Sequence, residues 1–116
     1  MNIVFYSQNN KTPVLAFVRD LEVKERAKIL ACLKSIEELG THSPRVYFRQ
    51  IRGKLWEIKI QAQKSSYRLF YVLIEKETIV LLHAYKKQSQ KAPLKEIAIA
   101  EKRLLEVLDN ESHYTH

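Results

Sequence analysis

Leu55-Trp56-Glu57-Ile58-Lys59-Ile60 alternates strictly, sending Trp56, Ile58 and Ile60 to one side and Leu55, Glu57 and Lys59 to the other, the period of a β-strand. Two longer apolar runs follow, Tyr67 to Ile74 and Thr78 to Tyr85. Near-continuous apolar runs of this length suit central strands covered on both faces. Glu75-Lys76-Glu77 joins the two runs as a hairpin turn, and Gln61 to Ser66 makes a looser connection before them. Connections this short force neighbouring strands to run antiparallel. A further segment, Arg45 to Ile51, reads as an edge strand preceding the three.

Outward from this meander the period changes from 2 to 3.6. Asn2 to Tyr6 is a short apolar strand, closed by a polar Ser-Gln-Asn-Asn-Lys break. Thr12-Pro13 then has the N-cap and first-turn signature of a helix, with Val14, Phe17, Val18 and Leu21 at helical spacing. A second helix is expected over Glu22 to Leu39 with an apolar stripe through Val23, Ala27, Leu30, Leu33 and Ile36, ending at Gly40 in a left-handed conformation. The two helices form a hairpin. Pro93 opens a last helix striped by Leu94, Ile97, Ala98, Leu104, Leu105 and Leu108, and order is expected to be lost after Asp109, with residues 111–116 a disordered tail. The expectation is an α+β fold: an N-terminal strand and helical hairpin packed on a small antiparallel sheet, with a C-terminal helix. At 116 residues, of which 46% are hydrophobic and two are glycine, residues 1–110 fit one domain.

The lone cysteine, Cys32, lies in a helical pattern without a partner, so it reads as a small core residue in a protein of a reducing compartment. The N-terminus lacks a signal-peptide pattern, and no apolar run approaches the ~20 residues of a membrane span; the expectation is a soluble cytoplasmic protein. Net charge is +7, and its location is uneven. Thr41 to Lys95 holds 12 Lys and Arg against 3 acids, whereas the remainder holds 8 against 10. A basic excess confined to one segment points to a polyanionic partner.

Alternation places Arg68 on one face with Phe70, Val72 and Ile74. A guanidinium there must pair with an acid or open onto a cleft that receives an anion. Glu57 on the preceding strand is the candidate acid, and both readings hold if the carboxylate keeps the arginine until substrate arrives. Glu57 shares its face with Lys59, and the third strand ends on Tyr85-Lys86-Lys87-Gln88. Arg49, Arg52, Lys54, Lys59, Lys64, Arg68, Lys86, Lys87 and Lys91 thus converge on the sheet and its rims, with Trp56, Tyr67 and Tyr85 among them. Cations that neutralise phosphates and aromatics that stack on unpaired bases are what single-stranded RNA binding requires. His42, His83, His113 and His116 form no close ligand set, so no metal or other cofactor is expected; His83, among Ile79, Leu81 and Tyr85, reads as a core histidine. A phosphate-binding glycine loop has no residues to build it from.

The stretches from Ile51-Arg52-Gly53-Lys54-Leu55-Trp56-Glu57-Ile58-Lys59 through Tyr67-Arg68-Leu69-Phe70-Tyr71 to Leu81-Leu82-His83-Ala84-Tyr85-Lys86-Lys87-Gln88-Ser89-Gln90-Lys91-Ala92-Pro93 resemble the RelE/ParE toxin superfamily, in particular its HigB branch of phage-related Gp49-like proteins. The resemblance implies a microbial-ribonuclease-like fold and a metal-independent endoribonuclease that cuts messenger RNA on the ribosome. It also implies neutralisation by a helix-turn-helix, HigA-like antitoxin, in a heterotetrameric complex. The family's strand arginine corresponds to Arg68, its charged pair on the preceding strand to Glu57 and Lys59, and its basic pair after the last strand to Lys86 and Lys87. On this basis Arg68, Lys87, Glu57, Lys59 and Tyr85 are the candidate catalytic residues, and Arg49, Arg52, Lys54, Lys86 and Lys91 the candidate RNA contacts. Where relatives often place arginine, histidine or tyrosine, this chain has Lys86, Lys87 and Gln88-Ser89-Gln90; Glu57 is the candidate general base and Tyr85 the candidate acid. ParE relatives share the fold and inhibit DNA gyrase without cutting RNA, and that is the alternative reading.

Overall fold

The computed structural model describes residues 1–88 and 93–115. Within them the chain runs β1 (Asn2–Phe5), α1 (Pro13–Arg19), α2 (Val23–Leu39), β2 (Val46–Arg52), β3 (Leu55–Gln61), β4 (Ser66–Ile74), β5 (Thr78–Lys87) and α3 (Leu94–Leu108). The strands form one sheet in the order β1-β5-β4-β3-β2. From β2 to β5 the neighbours are antiparallel, as the short turns require. β1 departs from the expected all-antiparallel sheet: it pairs parallel to β5, Ile3 opposite Ile79. The helical hairpin between β1 and the meander supplies the long connection that a parallel edge needs. The fold is α+β, and the Arg45 to Ile51 segment is its β2 edge strand.

The sheet is covered on both faces, though unequally. On one face Ile58, Ile60, Tyr67, Leu69, Tyr71, Ile79 and Leu81 pack against Val14 and Val18 of α1 and Ile29, Cys32, Leu33 and Ile36 of α2. The buried row of α2 is therefore rotated from the expected stripe: Val23 and Leu30 are exposed, and Ile29 and Cys32 take the sheet side at the i, i+3, i+4, i+7 spacing of a single helical face. Pro13 occupies the first turn of α1, and Thr12 before it makes no side-chain cap. Gly40 ends α2 with φ 60° and ψ −135°, a positive-φ conformation outside the left-handed helical region and one that glycine alone adopts without strain.

On the other face Leu55, Phe70, Val72, Ile74, Val80 and Leu82 pack beneath Ala100, Leu104 and Val107 of α3. As far as Thr115 the chain after α3 is held in place, in contrast to the expected disorder over residues 111–115; His116 lies outside the described residues. Glu111–His113 forms a 3-10 turn, and Tyr114 is buried in the same cluster with its hydroxyl donating to the Ser7 carbonyl at 3.1 Å. Burial of that aromatic ring fixes the last turn, a signal that the polar residues around it conceal.

Candidate functional site

α3 covers only part of its face. Beyond its cover, pairing registers align the side chains in two rows across four strands. Tyr47, Lys59, Arg68 and Tyr85 are opposite one another from β2 to β5; beside them run Arg49, Glu57, Phe70 and His83. Ser66 opposite Lys87 closes the open end.

A bulge builds the second half of these rows. Thr78 and Val80 of β5 point toward α3, but Phe70 pairs with His83 and Tyr71 with Leu81, so Leu82 is an extra residue. Its insertion switches the alternation, as bulges do. His83, Tyr85 and Lys87 consequently face the Arg68 side. The expected grouping of His83 with Ile79 and Leu81 is therefore overturned, since those two face the helical hairpin. Arg103 of α3 donates to the carbonyl of Leu82 at the bulge, at 2.9 Å.

Glu57 is the hub of the cations. Its side chain is only 3% exposed, and Oε1 lies 3.3 Å from Arg49 Nη2 and 3.8 Å from Arg68 Nε. Arg68, 14% exposed, also donates from Nη1 to Ser66 Oγ at 3.0 Å. Arg49, at 68%, reaches out to solvent. The anticipated Arg68–Glu57 pair thus exists at long range, and both guanidiniums are aimed by a carboxylate buried beneath them. A charge this buried requires such partners. The phenol of Tyr85 is pushed above its ordinary value, first by burial and then by the negative charge of Glu57, with Arg68 opposing.

His83 has both ring nitrogens engaged. Nε2 is 2.7 Å from Glu96 Oε1, and Arg103 Nη1 is 3.3 Å from Nδ1. Arginine has only donors, so Nδ1 accepts and Nε2 carries the proton given to Glu96. Burial lowers the imidazole's pKa, with Glu96 opposing that shift and Arg103 adding to it.

The remaining candidates disperse. Arg52 is bonded to Glu101 of α3, with Nε to Oε2 at 2.7 Å and a second contact from Nη2 to Oε1. Lys54 lies beside it in the β2–β3 turn, at the Leu55 end of β3 rather than the Lys59 end. Lys86 pairs with Tyr67 and so belongs to the opposite face from Arg68. Lys64 is in the β3–β4 turn near Glu22, the residue that precedes α2. Lys91 lies outside the described residues. Two of the expected stacking rings are also on the far face: Trp56 packs on the hairpin core, and Tyr67 is buried with its hydroxyl donating to Glu25 at 3.0 Å. Cys32 is buried, and burial raises its thiol, as a core residue requires. Among the described residues no helix is long and apolar enough to cross a membrane, and no His, Cys, Asp and Glu residues cluster to hold a metal.

The model of the family described as phage derived protein Gp49-like (DUF891) matches residues 16–105, a span that takes in both rows, the bulge and Arg103. This chain belongs to the Gp49-like family. A search of curated proteins finds no match. The candidate site contains four residues that the sequence pattern did not assign to it: Tyr47, His83, Glu96 and Arg103. For Tyr47 the available signal was its period-2 relation to Arg49; for His83 it was hidden by the bulge.

Proposed function

We propose that this chain is the toxin of a toxin–antitoxin pair of the RelE/HigB type, and that it cuts messenger RNA on the ribosome. The observation that carries the reading is the cluster on the open half of the sheet: Arg49 and Arg68 on the Glu57 carboxylate, Lys59 and Tyr85 in register with Arg68, and Lys87 at the open end of the same face. Membership of the Gp49-like family, which is related to RelE and HigB, supports it.

The ribose 2′-oxygen attacks its adjacent phosphorus and the bond to the next 5′-oxygen breaks, leaving a 2′,3′-cyclic phosphate and a 5′-hydroxyl. One proton leaves the 2′-hydroxyl and one reaches the departing oxygen. Arg68, Lys59 and Lys87 stabilise the extra charge on the phosphoryl oxygens. An incoming phosphate competes with Glu57 for Arg68 and Arg49, which frees Oε1 to accept the 2′ proton. Tyr85, with its raised pKa, keeps its proton at neutral pH and delivers it to the 5′-oxygen. No step requires a metal ion. Arg49 extends the phosphate track; Arg52, Lys54 and Lys86 have no part in the cut. A HigA-like antitoxin neutralises the toxin in a heterotetramer in the cytoplasm.

The test is incubation of the purified chain with messenger-programmed ribosomes, with and without a chelator, and analysis of the RNA ends. Chelator-resistant products ending in 2′,3′-cyclic phosphate are expected. Intact messenger together with inhibition of purified DNA gyrase would transfer the chain to the ParE type.

A further inference from the structure

The helical hairpin also leaves part of its sheet face uncovered. There Phe48, Trp56, Tyr71, Leu73, Ile79 and Met1 line an open cavity of about 250 Å³. Phe48 and Tyr71 meet edge to face, with ring centroids 6.3 Å apart and planes at 89°, and Leu73 is 45% exposed. Apolar residues scattered singly over a surface need no explanation, but gathered in a concavity they mark a place of contact. Two elements frame this one with acid. α2 ends beside it, with Glu37 and Glu38 exposed and the Glu37 carbonyl accepting from the Met1 amine at 3.2 Å. The β4–β5 turn adds exposed Glu75 and Glu77, the latter 3.8 Å from the same amine. Against these four carboxylates stand Lys76 and the amine, and the last carbonyls of α2 add to the negative sign. The cations of the β2–β3 turn serve the other face, where Arg52 is bonded to Glu101 and Lys54 lies beside Leu105. In a chain of net charge +7, this corner is negative.

We propose that the cavity is a docking site for a basic segment of a partner protein, which inserts one aliphatic or aromatic side chain beside Trp56, Tyr71 and Leu73 while flanking Lys or Arg residues lie against Glu37, Glu75 and Glu77. A large side chain in a desolvated pocket carries most of the energy of such a contact, and the charges around it select the partner. The cavity and the Arg68 cluster are on opposite faces and at opposite strand ends: Trp56 against Lys59 on β3, Leu73 against Arg68 on β4, Ile79 against Tyr85 on β5. An occupant of the cavity therefore leaves the cations uncovered, and the docking site stands or falls independently of the RNA reading.

Trp56 is the chain's one tryptophan, so its fluorescence reports on this cavity. The full chain is titrated with three capped pentapeptides: Lys-Lys-Leu-Lys-Lys, Glu-Glu-Leu-Glu-Glu and Lys-Lys-Ser-Lys-Lys. The first is expected to shift the Trp56 emission saturably, at concentrations about tenfold below those the second requires, in line with the loss of two surface ion pairs. It is expected to act at least about tenfold below the third, which lacks the apolar anchor. Leu73→Lys, at an exposed position, abolishes the shift, and Glu77→Gln narrows the gap between the first two peptides by about threefold; both variants keep the circular dichroism of the unaltered chain. Equal titration by the lysine and glutamate peptides, or a shift that survives in Leu73→Lys, overturns the basic partner. A shift produced by cyclohexanol and by no peptide overturns it too, in favour of a small apolar ligand, and no shift with any of them overturns the site.

Discussion

Leu55 and Lys59 are on the same strand and the same face, yet one is core and the other lines an open site. The division repeats on β4, where Val72 and Ile74 are buried under α3 while Arg68 opens toward solvent, and on β5, where Val80 and Leu82 are covered and Lys87 is not. The dividing line is the limit of α3's cover. Under the helix, apolar area removed from water stabilises the fold at about 25 cal/mol per Å². Outside it, the same sheet geometry holds two arginines on one buried carboxylate with Lys59 and Lys87 on the same open face, an arrangement that adds little to stability and fits an anionic ligand. One helix, by covering half a sheet face, thus separates the part of that face that holds the molecule together from an open polar half.

Five substitutions break or sharpen the contrast. Under the helix, Leu82→Ala removes a fully buried side chain and is expected to cost about 2–5 kcal/mol in urea unfolding, with cleavage unaltered at temperatures where the variant is folded. In the open half, Arg68→Ala is expected to lower cleavage on programmed ribosomes by about 10²–10³ while the protein stays folded by circular dichroism. At the border, His83 gives a pH dependence. Its folded pKa lies below the ordinary imidazole value of 6.5, so the unfolded chain binds more protons as pH falls past 6.5, and stability present above that pH is lost between it and the folded value. The melting midpoint should fall from pH 7 to pH 5, and His83→Phe should flatten that fall. Smallest of all, Arg52→Ala and Lys54→Ala, at the far end of β3, are expected to leave the cleavage rate unchanged; a loss matching that of Arg68→Ala would erase the distinction between the two ends.

The order of the elements and the Arg68–Glu57 relation were legible in the sequence because both depend on local period and on pairing across short turns. β3 and β4 alternate without interruption, so Glu57, Lys59 and Arg68 fall on one face by counting alone. On β5 counting fails. Leu82 is inserted against β4, and a strict period of 2 sends His83 to the wrong neighbours. Bulges carry no residue signature in an apolar run such as Val80-Leu81-Leu82, so the switch becomes visible only with the partner strand in view. The parallel pairing of β1 and the rotation of α2 were concealed for a related reason: both are decided by long-range packing that the local pattern does not encode. Summed charge showed the same limit. The cations of the candidate site all come from the basic segment, yet Arg52, Lys54 and Lys86 lie within it and away from the site, because face and strand end, not sequence proximity, determine which cations meet.

The central claim is that the open half of this sheet face cuts RNA. It is tested most directly by mapping messenger RNA 5′ ends in cells that express the chain from a tightly controlled promoter, beside Arg68→Ala and Arg52→Ala. The account predicts new ends within translated messages for the unaltered chain and for Arg52→Ala, and none for Arg68→Ala. Growth arrest with intact messages would contradict it, as would identical new ends in all three.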